Sequence, residues 1–423
     1  MVPGGTNAMG ETIKIGLVGC GFMGNRHLNG FEQLYRRDMN VSELKSVCDL
    51  GRERAEHTAD LARARLGNRP AVYQDFEEML GAESELDAVD IVVDPSFHHV
   101  LADIAFKADK HVIVEKPMGV TVRACREMVE SSNRHGKILA VAENYRRDPI
   151  NRLVKLAIEQ EVIGEPFMVL QNLIEGGGRI AIAPWRHVKE RGGILIDMGV
   201  HYADLFRYLF GPVETVYGEL RLFEPVRRGI ARTGWPYEAH EGNNAGEIEP
   251  SAEDTALAIL KFENGVLGHL MMSLAGHGER LWQRVIFGSK GRIDAPLDRS
   301  GRPISVILDE QKSVSGDDIL RSSDRFPYEG VTAKFFPEGL THYELPFQES
   351  DSRLIAIELY DFADALIHAR KPEVDGLAGL KAVALTYSIC ESAFLNEPVR
   401  VKDVESGKIR GYQHEIDEAL EMR

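Results

Sequence analysis

The sequence predicts an α/β protein of two domains: an N-terminal doubly wound parallel sheet, then an α+β domain with a largely antiparallel sheet. Strand and helix patterns alternate through the first third of the chain, which is typical of parallel strands joined by right-handed crossovers. After about residue 148, strands follow one another with hairpin signals such as Glu263-Asn264-Gly265. A chain of 423 residues is also too long for one ordinary core.

The predicted division is a disordered arm at residues 1–11, a first domain at 12–147 and a second domain at 148–423. β-branched and apolar runs predict strands, and apolar residues three or four positions apart predict helices. The first-domain strands are 12–18, 44–49, 71–73, 88–94, 111–114 and 138–142, and its helices are 25–36, 51–65, 75–81, 98–108 and 121–135. The second-domain strands are 165–175, 213–223, 254–263, 265–274, 282–287, 304–308 and 341–346, and its helices are 149–160, 197–210, 353–369 and 377–395.

A glycine motif follows the first strand, in the order Gly19-Cys20-Gly21-Phe22-Met23-Gly24. In such a motif the first glycine permits a tight turn, the second lets the backbone approach a diphosphate, and the third lets the next helix pack close to the strand. That helix directs its unpaired N–H groups and positive dipole end at the phosphates. The motif therefore predicts a dinucleotide site in a Rossmann domain.

Asp49 ends the second predicted strand and bears on which dinucleotide binds. A carboxylate there accepts hydrogen bonds from ribose hydroxyls and repels a 2′-phosphate, which favours NAD over NADP. Two alternatives stay open. Arg52 and Arg54 lie just beyond and could hold a 2′-phosphate, and a strand-end Asp is often only a helix cap.

Three further segments end strands of the same predicted sheet: Asp94-Pro95, Glu115-Lys116-Pro117 and Asn144-Tyr145-Arg146. Ligands of doubly wound sheets bind outside the carboxyl ends of the strands. We therefore expect these segments to converge on one crevice although they are far apart in sequence.

The residue types at this crevice suit hydride transfer from an alcohol. His201 has an ordinary pKa near 6.5, which suits a base at neutral pH. Lys116 can stabilise the negative charge that develops on the same oxygen. Asp197 lies four residues before His201, so the two share a helix face, and Asp197 could orient the imidazole or hold a neighbouring hydroxyl.

Other interpretations of these residues remain. Asp197 and His201 could be a structural pair, or Asp197 could be a helix N-cap. Trp185 and Arg186 could stack on and hydrogen-bond a sugar ring, or pack their own loop. His27 and His99 fit structural hydrogen bonding better than acid–base chemistry. The polar stretch 224–251, with Trp235, Tyr237 and His240, reads as a lid, a subunit contact or a solvated insertion.

The composition of the chain limits which binding partners and which cellular compartment we expect. The formal net charge of −16 argues against nucleic acid or an anionic membrane as a partner, and no apolar run approaches the roughly 18 residues of a membrane span. The four cysteines have no paired spacing, which favours free thiols in a cytoplasmic protein. There is no CxxC, HExxH or His/Cys cluster of zinc spacing, so we expect no metal.

Taken together, these motifs resemble the Gfo/Idh/MocA oxidoreductases over nearly the whole chain. The resemblance rests on the glycine motif with His27 after it, Asp94-Pro95 followed by His99, Lys110-His111-Val112 leading into Glu115-Lys116-Pro117, and Gly193 through Asp197 to His201. Two positions depart from the family pattern. Asp94 stands where the family usually has Thr, which puts an acid near the cofactor. Asp109 stands where Gly usually precedes Lys-His-Val, and Asp tolerates the left-handed conformation.

The resemblance implies a Rossmann domain followed by an open-faced sheet, NAD(P) use, sugar or polyol substrates and oligomers built through that second sheet. The predicted catalytic residues are Lys116, Asp197 and His201. The predicted cofactor contacts are Gly19, Gly21, Phe22, Met23, Gly24, Asp49, Asp94, Pro95, His99, Glu115, Lys116 and Asn144. The predicted substrate contacts are Lys116, Tyr145, Arg146, Trp185, Arg186, Asp197 and His201.

The function expected from the sequence is NAD-dependent oxidation of a secondary hydroxyl in a sugar, glycoside or cyclic polyol, or the reverse, by a homodimer or homotetramer. A redox-neutral enzyme with tightly bound NAD, acting by transient oxidation in epimerisation, elimination or glycoside cleavage, is an alternative. A non-catalytic nucleotide-sensing protein is another. An imine or tetrapyrrole reductase is disfavoured, because the Lys, Asp and His set suits hydroxyl chemistry.

Overall fold

The computed structural model describes residues 12–39, 41–230, 246–322 and 330–422. The predicted arm at 1–11 and the aromatic residues Trp235, Tyr237 and His240 lie outside these ranges. Within them, no helix is both long and apolar enough to cross a membrane.

The first sheet is six-stranded, parallel and ordered β3-β2-β1-β4-β5-β6. Its strands are β1 (Ile13–Val18), β2 (Ser42–Cys48), β3 (Ala71–Tyr73), β4 (Ala88–Ile91), β5 (His111–Glu115) and β6 (Leu139–Ala142). The helices between them are α1 (Phe22–Tyr35), α2 (Arg52–Leu66), α3 (Phe76–Ala82), α4 (His98–Lys107) and α5 (Val122–His135). The order reverses between β1 and β4, so a crevice opens there at the carboxyl ends. The doubly wound prediction is confirmed.

The second sheet has nine strands in the order β16-β15-β14-β13-β7-β12-β11-β8-β17. Among the described strands of this second sheet, only β7 and β12 pair in parallel, which confirms a largely antiparallel sheet. The strands are β7 (Pro166–Ile174), β8 (Val213–Arg221), β11 (Thr255–Phe262), β12 (Leu267–Ser273), β13 (Leu281–Gly288), β14 (Gly291–Ala295), β15 (Ser305–Leu308), β16 (Ser313–Val314) and β17 (Val399–Arg400). A separate short ribbon pairs β9 (Arg227–Arg228) with β10 (Glu247–Ile248).

Helices cover one face of this sheet, and the other face is open. The described helices are α6 (Pro149–Glu159), α7 (Gly193–Phe210), α8 (Gly316–Arg321), α9 (Val331–Phe335), α10 (Phe347–Ile367), α11 (Gly376–Leu395), α12 (Val401–Glu405) and α13 (His414–Ala419). Along β11, buried Ala256, Ala258 and Leu260 alternate with exposed Leu257 and Ile259. The strand therefore presents apolar side chains on both faces, although only one face is covered.

The C-terminal helices return to the first domain. On α10, Asp351 pairs with Arg26 of α1, and Ser352 accepts a 3.0 Å hydrogen bond from Gln33 of α1. Val141 N of β6 donates to Val374 O at 2.9 Å, just before α11. These contacts brace the parallel sheet against the second domain. The division at residue 147 stays a prediction.

Three sequence predictions of elements are corrected here. Residues 341–346 are not a strand, because the alternating segment pairs with neither sheet and ends at Pro346, the N-cap of α10. Helix α7 begins at Gly193 rather than 197. The prediction started the helix too late because glycine and β-branched residues in its first turn have low helix propensity. Helix α10 begins at Phe347 rather than 353. Its first turns are polar and therefore lack the apolar spacing from which the helix was predicted. Asp109 does adopt the left-handed conformation, with φ of 64°.

Candidate active site

The glycine motif forms an open cradle at the start of α1. Gly19 has φ of 99°, and a Cβ there would lie 2.1 Å from the carbonyl oxygen of Val92. A Cβ on Gly24 would lie 1.9 Å from the carbonyl oxygen of Gly19, so the helix can approach the turn only through glycine. Gly21 has nothing within 4 Å of its Cβ position, and no side chain caps α1. Open space therefore faces unpaired helix N–H groups, which suits a diphosphate.

Asp49 lies beside this cradle, directly after β2. Its carboxylate accepts hydrogen bonds from Cys20 N at 2.9 Å and Gly51 N at 2.7 Å, and from Arg54 Nη2 at 2.6 Å. Burial opposes ionisation, but these donors outweigh it and lower the pKa of Asp49. Since Gly51 is the N-cap of α2, the cap alternative for Asp49 is wrong. The Arg54 guanidinium is already engaged by Asp49.

A buried ion cluster lies beneath the crevice. His27 Nδ1 is 2.8 Å from Asp90 and its Nε2 is 3.1 Å from Glu115, and His27 is fully buried. Burial opposes the imidazolium, but the two carboxylates raise the pKa of His27 well above its ordinary value. Glu115 in turn accepts a 2.8 Å hydrogen bond from Lys116 N. The structural interpretation of His27 is therefore confirmed, and Glu115 fixes the backbone that carries Lys116.

Lys116 and Arg186 share the carboxylate of Asp197. Lys116 Nζ donates to Asp197 Oδ1 at 3.0 Å and to its carbonyl oxygen at 3.1 Å. Arg186 Nη1 lies 3.0 Å from Asp197 Oδ2, while buried Arg186 Nε has no hydrogen-bond partner among the described residues. Burial raises the pKa of Asp197, but Arg186 and Lys116 outweigh it and hold that pKa below the ordinary value. Two cations thus face one ionised carboxylate, leaving one positive charge in excess.

His201 lies one helical turn beyond Asp197 and is oriented by Glu143. Its Nδ1 is 2.8 Å from both carboxyl oxygens of Glu143. The ring of Tyr145 stacks on the imidazole with 4.0 Å between centroids and 5° between planes. Burial lowers the pKa of His201 well below its ordinary value, and the Lys116 ammonium adds to this shift. The imidazole is therefore neutral at neutral pH.

The position of Glu143 corrects two ideas about Asp197. The carboxylate that orients His201 is Glu143, because Asp197 is engaged by Lys116 and Arg186. Asp197 is also no N-cap, since α7 begins four residues earlier at Gly193 with Gly192 as its cap. Glu143 directly precedes Asn144 in the motif at the end of β6. Its pairing with His201 could not be predicted, because the two residues are 58 positions apart and no sequence pattern links them.

The surroundings of several predicted contacts differ from expectation. Arg146 is mostly buried and its guanidinium binds Asp204 through two bonds, at 2.7 and 2.5 Å, and the substrate role predicted for it stays a prediction. His99 Nδ1 is buried without a hydrogen-bond partner among the described residues, and burial lowers the pKa of His99, so its cofactor role stays a prediction. His98 contacts the crevice instead, lying 3.1 Å from the carbonyl oxygens of Val93 and Pro117.

The other predicted residues have the following surroundings in the structure. Asp94 caps the 3-10 turn at Pro95–Phe97 and pairs with Arg191 at 2.8 Å, which neutralises its charge. Asn144 Oδ1 is buried with no hydrogen-bond partner among the described residues. Trp185 is half-buried beside Arg186. Sequence reasoning missed Arg299, whose guanidinium lies 4.9 Å from the Tyr145 ring centroid, because its loop follows no recognisable motif.

The arrangement can bind a dinucleotide and remove a proton from a hydroxyl. The cradle and strand ends provide the nucleotide surface. The ammonium of Lys116 and the Nε2 of His201, whose Nδ1 is engaged by Glu143, are the groups that can bind one oxygen and take its proton. Across the described ranges, no group of three or more His, Cys, Asp or Glu side chains could hold a metal ion.

Two family models match the chain. The NAD-binding Rossmann fold of an oxidoreductase family, GFO/IDH/MocA, matches residues 13–143, and the GFO/IDH/MocA C-terminal domain matches residues 151–294. The chain belongs to the Gfo/Idh/MocA oxidoreductase family. Its first domain is an NAD-binding Rossmann domain.

Curated relatives of this family member match more than nine tenths of its length. The chain is 26% identical to the D-apiose dehydrogenase of Paraburkholderia graminis, with 94% of the chain and 92% of the relative covered. It is 27% identical to the myo-inositol 2-dehydrogenase of Thermotoga maritima, with 93% and 99% covered. A levoglucosan dehydrogenase solved with NADH and L-sorbose shares the fold, with a TM-score of 0.72, 22% identity, and 93% and 100% covered.

Proposed function

We propose that this protein is an NAD-dependent dehydrogenase that oxidises a secondary hydroxyl of a sugar, glycoside or cyclic polyol to the ketone. The observation that carries the proposal is that Lys116 Nζ donates to Asp197 at 3.0 Å, while both charges act on the buried His201 one helical turn beyond Asp197. The relatives named as apiose and inositol dehydrogenases support the substrate class.

The residues present fit NAD. Gly21 leaves open space where a diphosphate would lie, and the N-terminus of α1 offers N–H groups to it. The ionised Asp49 suits ribose hydroxyls and disfavours a 2′-phosphate. Asn144 Oδ1 is a buried acceptor without a partner, which suits an amide donor. Bound NAD supplies the hydride acceptor, and the protein supplies binding, orientation and proton transfer.

Lys116 binds the hydroxyl oxygen. An ammonium has three N–H donors, and two of them go to Asp197. The third remains for the substrate. The excess positive charge of Lys116 and Arg186 over Asp197 stabilises the oxygen as its proton leaves.

His201 takes that proton at Nε2. Its Nδ1 is engaged by Glu143, and the Tyr145 ring holds the imidazole plane. Because burial keeps the imidazole neutral, it can accept a proton at neutral pH. Trp185 and Arg186 border the same point, and Arg186 Nε is available to a second substrate oxygen.

The proposed setting is the cytoplasm, and the proposed partner is a second copy of the chain. All four cysteines are buried free thiols, which suits a reducing compartment. The exposed apolar side chains of the second sheet suit a homodimer or homotetramer.

A substrate panel tests the function. The purified protein is mixed with NAD and single sugars, glycosides or cyclic polyols, and NADH is followed by absorbance. We expect net NADH formation with at least one of them, and a rate lower by roughly 10² or more with Lys116→Ala. NAD that copurifies with the protein, together with turnover but no net NADH, would instead indicate redox-neutral chemistry.

A further inference from the structure

Glu143 is a buried carboxyl group in direct contact with the imidazole of His201. Both of its oxygens lie 2.8 Å from His201 Nδ1, and Tyr145 N donates to Oε1 at 3.0 Å. The parallel stack of Tyr145 on His201 keeps the ring edge on the carboxyl group. Because the two ring nitrogens lie on opposite sides of an imidazole, Nε2 is left for the substrate.

The proton on Glu143 decides which nitrogen of His201 carries a hydrogen. A neutral imidazole has one N–H and one lone pair. An ionised Glu143 can only accept, so Nδ1 must carry the hydrogen and Nε2 has the lone pair. A protonated Glu143 donates to Nδ1, so Nε2 must carry the hydrogen. His201 Nε2 can therefore accept a proton when Glu143 is ionised and donate one when Glu143 is protonated.

We propose that Glu143 and His201 form a proton relay in which the protonation state of Glu143 sets whether His201 Nε2 accepts or donates a proton. The relay rests on the proposed function, since the substrate hydroxyl supplies the proton. Glu143 ionised is the state for alcohol oxidation, and Glu143 protonated is the state for ketone reduction.

The proton transfer balances within these groups. In oxidation the substrate O–H bond breaks and an Nε2–H bond forms, while the Nδ1–H bond breaks and an O–H bond forms on Glu143. Bound NAD would supply the hydride acceptor that the conversion of the alcohol to the ketone requires. His201 ends neutral in the other tautomer, and Glu143 holds the proton. Reduction follows the same bonds in reverse.

The electrostatics of the pair agree with the relay. Burial raises the pKa of Glu143 to about 7, although the Tyr145 N–H, Lys116 and Arg146 oppose the shift. Burial also holds the pKa of His201 well below its ordinary value, so the proton rests on the carboxyl group rather than making an imidazolium. The charged groups that face the pair from the surrounding elements are Glu115, Lys116, Arg146, Asp197, Asp204, Arg299 and Glu358.

Asp197 cannot replace Glu143 as the carboxyl group of the relay. It lies on the same helix as His201, but Lys116 and Arg186 engage its oxygens and keep it ionised. Glu143 is therefore the carboxyl group beside His201 that changes its protonation near neutral pH.

Nitrogen NMR of the substrate-free protein tests the relay apart from any activity. The protein is labelled with ¹⁵N-histidine, and His201→Gln identifies the His201 signals. In the wild type we expect hydrogen on Nδ1 above about pH 7 and on Nε2 below it. In Glu143→Gln no exchange between these tautomers should occur from pH 6 to 8. If that variant does not fold, Glu143→Asp replaces it, and the midpoint should move because the shorter carboxyl group retreats from Nδ1.

Glu358→Gln is the matched control. Glu358 is a second buried carboxyl group whose pKa burial raises, but its oxygens have no hydrogen-bond partner among the described residues. The control should keep the wild-type tautomer exchange. The relay is overturned if Glu143→Gln keeps the exchange, or if Glu358→Gln abolishes it.

The pH dependence of kcat in both reaction directions is the second test of the relay. For wild type, kcat should rise through about pH 7 in oxidation and fall through the same range in reduction, and Glu143→Gln should lose both inflections and roughly 10² in kcat. A wild type that oxidises sugars without any tautomer exchange contradicts the relay alone. A tautomer exchange without turnover of any sugar or polyol leaves the relay geometry standing and contradicts the proposed function.

Discussion

At the residue scale, neighbouring carboxyl groups take different tasks because their partners differ. Asp197 faces two cations that lower its pKa, whereas burial raises the pKa of Glu143 to about 7. Asp49 is kept ionised by hydrogen bonds at the cofactor surface. The residue types at these positions could be predicted from the sequence, but their pairing depends on atoms brought together by the fold.

The first prediction concerns the cofactor. Asp49→Ser should narrow the preference for NAD over NADP, because it removes a charge that repels a 2′-phosphate and releases Arg54 from its 2.6 Å contact. The measurement is the ratio of kcat/KM for NAD and NADP in wild type and variant. A wild type that favours NADP would show that Asp49 has been assigned the wrong role.

The second prediction concerns the buried ion cluster. His27→Gln should lower the free energy of unfolding by about 3–5 kcal/mol near pH 6.5, because two buried carboxylates lose their cation. The pKa of His27 is raised in the folded state, so its contribution is complete below the unfolded pKa near 6.5 and is lost as pH rises through the folded pKa. The deficit of the variant should therefore shrink with rising pH.

Denaturant unfolding from pH 6.5 to 9 measures this deficit. His57→Gln on α2 is the control, since that side chain is exposed, and it should change stability little at any pH. A deficit for His27→Gln that grows with pH would mean that His27 is not an imidazolium in the folded protein.

At the element scale, the glycine pattern and the alternation of strands and helices predicted the first sheet correctly, because each strand there is a short apolar run between turns. The same reasoning failed at 341–346, where alternation marks an extended segment that pairs with no strand. The sequence pattern also could not predict that α10 packs on α1, because the spacing of apolar residues within a helix does not identify which distant helix it contacts. The pairing of His201 with Glu143 was hidden for the same reason.

The third prediction concerns the contact of α1 with α10. A Cβ on Gly30 of α1 would lie 2.6 Å from Ile355 Cγ2 and 3.3 Å from Ala356 N. Gly30→Ala should therefore destabilise the protein by about 1–3 kcal/mol through overpacking. Gly81→Ala on α3 is the control, because nothing lies within 4 Å of its Cβ position, and it should be neutral or stabilising by up to about 1 kcal/mol. Equal effects of the two substitutions on the melting temperature would contradict the close packing.

At the scale of the whole molecule, two sheets share one crevice, and the second sheet leaves a face uncovered. The exposed apolar side chains on its strands are Phe167, Tyr217, Leu257, Ile259, Leu267 and Leu281. Exposed apolar patches of several hundred Å² usually find a partner. The open face is therefore the surface expected to join copies of the chain.

The fourth prediction concerns this assembly. Light scattering should give a dimer or tetramer with closed symmetry, and Ile259→Glu should shift it toward monomer, because a charge would be buried in the interface. Leu50→Glu is the control, since Leu50 is exposed but lies on the first domain. A 47.2 kDa monomer at every dilution of the wild type would contradict the prediction.

The most direct test of the proposed chemistry separates turnover from cofactor binding in Lys116→Ala and His201→Ala. Both kcat with the best sugar or polyol and the Kd for NAD are measured for each variant. We expect kcat to fall by roughly 10² or more, with NAD affinity nearly unchanged because the diphosphate binds at the glycine cradle. Asp197→Asn should lie between wild type and these variants, since the amide still accepts from Lys116. Near-normal kcat in both Lys116→Ala and His201→Ala would contradict the assignment of the reacting centre and leave only an NAD-binding protein.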